Sequence, residues 1–527
     1  MSLQTETEET YRLKCERLAQ ENAELLAKVH WYEEQFRLSQ QRLYGQSREQ
    51  TPADQPAFVF NEAEACAVPT APEPTVKTIT VQRRIKGQRA AQLQHLPVET
   101  VVHRLPEDAQ ICGRCGGPLH ELPESMANVR QEIIIIPAQV KLRRHLQMNY
   151  VCPPCEQDAV EAPIVPAPMP TPAFPGSLAS PTAVAFIMSQ KFVEGLPLYR
   201  QEQSFARLGV ILPRQTLANW MLAGAKWLEP VYERLHEDLL RREILHADET
   251  TLQVIQEAGR AAQTKSYLWL YRTGRDGPPI ILYDYQETRA RQHPEAFLHG
   301  FTGYLHVDGY QADEQLPGIT LVGCWAHARR GFTDALTAVP AAARAAARAA
   351  GTPLAAEVGL EYCNRLFAIE RELHDATPCE RFVGRLRQSR PVLLRFQAWL
   401  EQQALHVLPK SALGQAIAYC RHQWEKLLVF LQDGRLELDN NRSERGIKPV
   451  VIGRKNWLFA FSPAGATASA IIYSLVETAK ENGLDPYTYL TYLFEQLPDC
   501  RTTDLERLLP WSESLPASCH VPTTTKS

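Results

Sequence analysis

Five short apolar segments between residues 243 and 323 have the two-residue period and the β-branched or aromatic content of β-strands. The first three are separated only by turn residues and predict consecutive antiparallel strands. A helix-like segment, two more strands and a second helix follow. The chain must therefore build a mixed α/β sheet, and its other segments have to be arranged around that sheet.

The order of these segments fits, loosely, an α/β core of the ribonuclease-H type. Asp248 lies within the first strand and Asp308 ends the fourth. If these two strands are neighbours in the sheet, their carboxylates meet at one place. Burying a carboxylate is costly unless it is paired or binds a metal. Taken singly, each Asp is better explained as a carboxylate at a strand end or turn.

A third acid, Glu444, lies among cations in the segment 438–459. Asn440 and Asn441 are good helix caps, so Glu444 is expected on a first helical turn, with Pro449 marking the end of the helix or a kink. A solvated helix with ordinary ion pairs is the alternative. Together with the two Asp residues, Glu444 completes an oxygen donor set suited to Mg²⁺ or Mn²⁺. Two such ions can promote displacement at a phosphodiester.

Basic residues are the candidates for contacts with DNA. The sequence has 56 Lys and Arg against 60 Asp and Glu, a formal charge of -4, so any basic surface has to be local. The candidates are Arg442, Arg445, Lys448, Arg454, Lys455, Arg214, Arg143, Arg144, Arg329 and Arg330. His327, after the fifth strand, is a candidate for orienting water or phosphate, with a packed, hydrogen-bonded histidine as the alternative.

Two Cys-x-x-Cys pairs, Cys112 with Cys115 and Cys152 with Cys155, have the spacing of a structural Zn²⁺ site. Gly or Pro follows the first cysteine of each pair and permits a tight turn, and the stretch between the pairs is expected to form a hairpin. Redox or free-thiol roles are the alternative. We predict a four-cysteine zinc finger.

Heptad spacing of mostly apolar residues over 11–43, with Asn22 at an interior seam position, predicts a coiled coil that joins two copies of the chain. A single amphipathic helix packed on its own protein is the alternative. A helical region then begins at residue 182, and Pro213 opens a helix that exposes Arg214. This pattern suits a helix-turn-helix, although any helical hairpin has similar features.

The stretch between Asp308 and Glu444 is far longer than a simple core needs and reads as periodic helices, so we predict a helical insertion. Arg385, Arg387, Arg390 and Arg395 in it either line DNA or form a solvated face. The predicted domains are a coiled coil (1–50), a linker with a basic segment (51–98), the zinc finger (99–160), a Pro-rich linker (161–181), a helical DNA-binding region (182–240), the core in two parts (241–335 and 436–498), the insertion (336–435) and a flexible tail (499–527).

The chain resembles the insertion-sequence-66 family of bacterial transposases. The resemblance is carried by LHADET (245–250), HVDGY (306–310), GCWAHARRGF (323–332), NNRSERGIKPVVIGRKNWLF (440–459) and YSLVETAKENGLDPYTYL (473–490). It implies that Asp248, Asp308 and Glu444 form an Asp-Asp-Glu metal triad and that the four cysteines bind zinc. Two departures are Ser443, where Ala is expected, and LYGQSRE after the coiled coil, where an Arg-rich form is expected.

The expected function is that of a DNA transposase, a polynucleotidyl transferase that binds double-stranded element ends and target DNA. The alternatives are another ribonuclease-H-like nuclease and a non-enzymatic zinc-finger DNA-binding regulator. We expect a homodimer or a larger assembly, and the resemblance implies accessory proteins of the same element. No run of residues is long and apolar enough for a membrane helix, and we expect a cytoplasmic protein.

Overall fold

The computed structural model describes residues 140–143, 149–151, 164–166, 171–309, 316–500 and 502–522. The predicted coiled coil, the linker 51–98, Arg144 and the four cysteines of the predicted zinc finger lie outside these residues. The chain forms two compact units. Ala57–Met169 belongs to one unit, and Pro170–Phe205 with Ile211–His520 belongs to the other.

In the first of these units, β1 (Asn149–Val151) pairs antiparallel with β2 (Ile164–Pro166). The second of these strands lies within the stretch 161–181 that the sequence predicted as a Pro-rich linker. That prediction is wrong for Ile164–Pro166, because the short apolar run pairs with a strand that precedes the second cysteine pair.

The larger unit contains a five-stranded mixed sheet that matches the predicted strands. Its order is β5-β4-β3-β6-β7, with β3 antiparallel to β4, β4 antiparallel to β5, and β6 parallel to both β3 and β7. The strands are β3 (Ile244–Gln253), β4 (Lys265–Thr273), β5 (Ile281–Gln286), β6 (Gly303–Val307) and β7 (Ile319–Gly323). The strands that carry Asp248 and precede Asp308 are therefore neighbours, as the site prediction required.

The helices before the sheet and between its strands are α1 (Pro181–Phe192), α2 (Leu198–Arg207), α3 (Arg214–Leu240) and α4 (Gln292–Phe297). The prediction of helices over 182–240 is confirmed. Arg214 opens α3, is exposed, and forms an ion pair of 3.0 Å with Glu202.

Two hydroxyl groups of α12 (Pro463–Glu481) bind the backbone of the edge strand β5. Ser474 Oγ accepts from the Tyr283 N–H at 2.8 Å, and Thr478 Oγ1 accepts from the Ile281 N–H at 2.9 Å. An uncovered edge leaves backbone groups open to pairing with other chains. The helix therefore satisfies this edge while its apolar side chains fill the main core.

After β7 the chain forms a run of helices. The first, α5 (Trp325–Ala338), lies mostly within the predicted core (241–335). The others lie in the predicted helical insertion (336–435) and are α6 (Ala341–Ala349), α7 (Ala355–Glu372), α8 (Pro378–Ala404), α9 (Ala412–His422) and α10 (Trp424–Leu428). They enclose a second, aromatic-rich core. Gly359 permits α7 to pack closely on α5, since a Cβ there would lie 2.4 Å from the ring of Phe332. No helix of the described residues is long and apolar enough to cross a membrane.

Arg385 of α8 is fully buried and does not line a surface. It forms an ion pair of 2.7 Å with Glu370 and donates to the carbonyl groups of Phe430, Asp433 and Leu436. The hypothesis that Arg385 contacts DNA, or belongs to a solvated face, is therefore wrong. Arg387, Arg390 and Arg395 are exposed.

Helix α11 (Asn441–Trp457) carries Glu444 and runs through Pro449, so of the two predictions for that proline, a helix end or a kink, the helix end is wrong. Gly446 lets this helix approach the sheet closely, because a Cβ there would lie 2.8 Å from Leu270 Cδ1 on β4. The helix ends after Trp457, and the next residue, Leu458, has a positive φ of 65° that does not continue the helix.

The last described segment packs on the main core instead of forming the predicted flexible tail. Helix α13 (Pro486–Gln496) is followed by short 3-10 turns, and Leu508, Leu509 and Cys519 are buried. The Asp485 N–H also donates to the Cys519 carbonyl at 2.8 Å. The apolar residues within 502–522 account for the difference, because their burial favours an ordered segment.

Candidate active site

Asp248 lies in the middle of β3, and its Oδ1 accepts a hydrogen bond of 2.8 Å from the Glu249 N–H. Burial raises the pKa of Asp248 to about 8, and the carboxylates of Asp308, Glu249 and Glu444 add to this effect. The mutual influence of these groups places the three predicted acids in one electrostatic cluster. Burial and the neighbouring carboxylates both favour the protonated form of Asp248.

Asp308 follows β6, the parallel neighbour of β3. Its backbone carbonyl accepts from Tyr419 Oη at 3.2 Å, so the helical insertion holds this turn. The next residue, Gly309, has a φ of +87°, which a side chain disfavours, and a Cβ there would also meet Gln423. Burial raises the pKa of the Asp308 carboxyl, while His327 and Asn440 oppose that rise.

Glu444 projects from the first turn of α11 and is partly exposed. Its Oε1 lies 3.4 Å from Arg330 Nη2 and 4.0 Å from His327 Nε2. The other ring nitrogen of His327, Nδ1, lies 3.6 Å from Asp308 Oδ1. His327 therefore lies between Asp308 and Glu444. Its side chain is partly exposed to solvent, and each ring nitrogen faces one of the two carboxylates.

Asn440 does not cap α11 with its side chain, contrary to the expectation from sequence. Its Nδ2 donates to Asp308 Oδ1 at 3.1 Å and to the Ala247 carbonyl at 2.8 Å. Its Oδ1 accepts from Ser443 Oγ at 2.8 Å and lies 3.0 Å from His246 Nδ1. The fully buried Asn440 thus joins the start of α11 to both strands that carry the Asp residues.

Behind Asn440, His246 and His306 form a fully buried stacked pair at the same register of β3 and β6. Their ring centroids are 4.2 Å apart and the rings are inclined by 8°. Burial lowers the pKa of His246 to about 4 and that of His306 well below its usual value. Sequence reasoning missed this pair, although its signal was present as a histidine two positions before each Asp.

Asp308, Cys324 and His327 also form a group whose potential ligand atoms lie within 4.8 Å of one another. Cys324 is fully buried, and burial raises the pKa of its thiol, which disfavours the thiolate that a metal requires. Its sulfur instead accepts from the Asn440 N–H at 3.2 Å. The carboxylate oxygens are consequently the better donor set, and they suit a hard cation such as Mg²⁺ or Mn²⁺.

The predicted basic residues divide into engaged and exposed groups. Arg442 is paired with Glu437 at 3.0 Å, and Arg454 donates to the Thr251 carbonyl, so both side chains are engaged in internal contacts. Arg329 is exposed, with Nε 2.7 Å from Asn364 Oδ1. The others that are described and exposed are Arg143, Arg214, Arg330, Arg445, Lys448 and Lys455.

The comparison with protein families defines the class of this protein, which is that of the transposases. A model described as "Transposase IS66 family" matches residues 176–468, a range that includes all three acids. The chain belongs to the IS66 family of transposases. Further matches are the "IS66 C-terminal element" at 474–511, the "zinc-finger binding domain of transposase IS66" at 109–156 and the "Transposase C of IS166 homeodomain" at 31–101.

Curated relatives resemble the chain over most of its length. An uncharacterized protein of Sinorhizobium fredii, y4jD, is 32% identical over 435 residues, which cover 80% of this chain and 81% of the relative. A second uncharacterized protein of that organism, y4hP, is 31% identical over an alignment that covers 78% of this chain and 74% of the relative.

The zinc-finger match includes all four predicted cysteines and supports a structural zinc. The homeodomain match covers the whole stretch 51–98 that the sequence predicted as a linker.

Proposed function

We propose that this chain is a metal-dependent DNA transposase that cleaves a phosphodiester at the ends of a mobile element and joins the freed 3′-hydroxyl to target DNA. Family membership supports the transposase class. The observation that carries the chemistry is the approach of Asp248, Asp308 and Glu444 to one another from β3, the end of β6 and α11.

We assign the sheet to a ribonuclease-H-like core. In support, three antiparallel strands are followed by two strands parallel to the first, and the first and fourth strands are neighbours. The helical insertion follows the fifth strand and precedes Glu444. This arrangement brings the third acid back to the two Asp residues from a distant part of the sequence.

The side chains fit a divalent cation, because burial in the first place, with the neighbouring carboxylates, raises the pKa values of Asp248 and Asp308, and a bound cation would stabilise their ionised forms. Asp248, Asp308 and Glu444 would hold Mg²⁺ or Mn²⁺. When bound, two such ions would promote attack by an oxygen nucleophile and stabilise the leaving oxygen. His327 and Arg330 orient the carboxylates through the contacts described above. Asn440 fixes the orientation of the Asp308 carboxyl group through a neutral amide donor, whose protonation does not change.

The other parts of the chain are assigned to recognition and assembly. Cys112, Cys115, Cys152 and Cys155 hold a structural Zn²⁺ in a finger that contacts the element end. Exposed cations on α11, including Arg445, Lys448 and Lys455, contact backbone phosphates. The heptad segment pairs two copies, so that both ends of an element are held together.

The test uses the full chain with labelled DNA that carries the element ends. Wild type should cleave and join this DNA only with Mg²⁺ or Mn²⁺. Asp248→Asn, Asp308→Asn and Glu444→Gln should lose activity by at least about 10²-fold, whereas the exposed control Glu495→Gln should not. Undiminished cleavage by all three variants would overturn the proposal. DNA binding without cleavage by the wild type would instead favour a non-enzymatic regulator.

A further inference from the structure

A cavity of about 310 Å³ lies between the C-terminal end of α1 and one face of α11. Its size is at the lower limit of small-ligand sites, which are roughly 300–1,000 Å³. Four cations line it, namely Lys191, Arg445, Lys448 and Lys480, together with a single acid, Glu194. Such a lining favours an anion.

Three of these cations have no ion-pair partner among the described residues. Lys480 pairs with Glu477 at 2.9 Å, but Lys191, Arg445 and Lys448 form no ion pair within the part of the chain that the structure describes. Lys191 is half-buried, 4.9 Å from the Phe192 ring centroid. Burial lowers its pKa to about 8, as expected for an ammonium group that lacks a counter-charge.

The cavity lies beside the acids of the candidate active site. Arg445, Lys448 and Ile452 line it and recur at helical spacing, so they share a face of α11. Glu444 directly precedes Arg445 and lies four residues before Lys448, an axial rise of about 6 Å along α11.

We propose that this cavity binds a backbone phosphate of the DNA strand close to the phosphodiester at the acidic cluster. The inference rests on the proposed function and adds Lys191 and Lys480, from outside the cationic segment, to the residues that contact DNA. The cavity is too small for a duplex and admits a single phosphate with its sugar. The bound phosphate supplies the counter-charge that Lys191 lacks and fixes the register of the strand.

The experiment measures binding of the full, zinc-loaded chain to fluorescently labelled duplex DNA, without Mg²⁺ or Mn²⁺, over a series of salt concentrations. Lys191→Gln and Lys448→Gln should each weaken binding and reduce the slope of log K against log [salt] by about 1, as expected for a lost phosphate contact. Lys226→Gln, an exposed cation on α3, is the charge-matched control and should keep the wild-type slope. Slopes of the cavity variants equal to that of this control would overturn the proposal.

A second variant separates filling of the cavity from general loss of charge. Ile452 is 51% exposed at the cavity wall, so Ile452→Trp should narrow the cavity without changing charge or the core. It should weaken DNA binding.

Titration with inorganic phosphate distinguishes a free anion from DNA as the ligand of the cavity. The proposal would be overturned if phosphate binds at micromolar concentration, Lys191→Gln loses that binding, and the same variant keeps the wild-type salt slope for DNA. The cavity would then be assigned to a free anion.

Failure of this proposal and failure of the proposed function give different results. Asp248→Asn should bind DNA with the wild-type salt slope while losing cleavage. If that variant cleaves normally, the catalytic assignment fails while the salt slopes still decide the cavity. If the variants of the three acids lose cleavage but Lys191→Gln and Lys448→Gln keep the wild-type salt slope, only the cavity proposal fails.

Discussion

Asn440 Nδ2 donates a hydrogen bond of 3.1 Å to Asp308 Oδ1, which links the first residues of the Glu444 helix to the end of β6. The same amide group donates to the Ala247 carbonyl, next to Asp248. A single buried side chain thus contacts the elements that carry all three acids. We regard Asn440 as a positioning residue, because it acts through the carboxylates and not on the substrate.

Asn440→Ala should therefore lower cleavage and apparent metal affinity together, by about 10–100-fold, as is usual when a partner of a metal ligand is removed. The measurement is the Mg²⁺ concentration that gives half-maximal cleavage. Asn219→Ala, an exposed asparagine on α3, is the control. A variant with unchanged metal dependence and only lower thermal stability would limit Asn440 to a structural role.

Asp248→Asn should stabilise the metal-free protein although it abolishes cleavage. Since the folded-state pKa of Asp248 is raised to about 8, ionisation of this carboxyl near neutral pH opposes folding. Removing the charge should raise the free energy of unfolding at pH 7 by roughly 1–3 kcal/mol. Denaturant unfolding in chelator measures it, with the exposed Asp375→Asn as control. A destabilised variant would contradict the electrostatic explanation.

The stacked histidines should make the metal-free protein sensitive to acid. Their folded-state pKa values lie below the unfolded value of about 6.5, so the unfolded state binds more protons, and stability present above pH 6.5 is lost as pH falls towards 4. For His246 alone the loss is on the order of 3 kcal/mol. His306→Gln should lose less stability than wild type between pH 7 and 5.

The control for the histidine experiment is His374→Gln, whose side chain is 70% exposed. It should retain the pH dependence of the wild type. Unfolding in urea at each pH, in the presence of chelator, provides the free energies. Equal losses in wild type and His306→Gln would exclude His306 as a source of the acid sensitivity.

Arg385→Leu should strongly destabilise the helical insertion. Because Arg385 is fully buried, the change removes no surface cation. The change leaves Glu370 without its buried partner and removes the donor from three backbone carbonyls, which should cost about 3–5 kcal/mol. Arg387→Gln, at an exposed position of the same helix, should change stability by less than about 0.5 kcal/mol. Comparable stability of the two variants in thermal unfolding would contradict the structural role of Arg385.

Local pattern predicted most of the secondary structure of the core. The two-residue period marked each strand of the sheet, including β4 (Lys265–Thr273). The same pattern placed Asp248 within a strand and Asp308 after one. These features depend on side chains a few residues apart, so the sequence specifies them directly.

The errors occurred where a distant partner decided the outcome. Local rules expected Asn440 to cap its own helix, yet strands far away in sequence offer its amide better partners in the buried site. Arg385, Arg442 and Arg454 were read as surface cations, but acids and carbonyls brought by other elements engage them. Pro449 did not end α11, which packs along the sheet on both sides of that residue.

The sequence alone determined the strands, the helical insertion, the three candidate acids and the likeness to a transposase family, because each depends on residue type and local spacing. Only the tertiary structure decided that β3 and β6 are neighbours, that Asn440 and His327 lie among the acids, and that Lys191 shares a cavity with α11. The physical reason is that hydrogen bonds, charge compensation and burial depend on distance in space. Chain folding brings those groups together from positions that no local pattern connects.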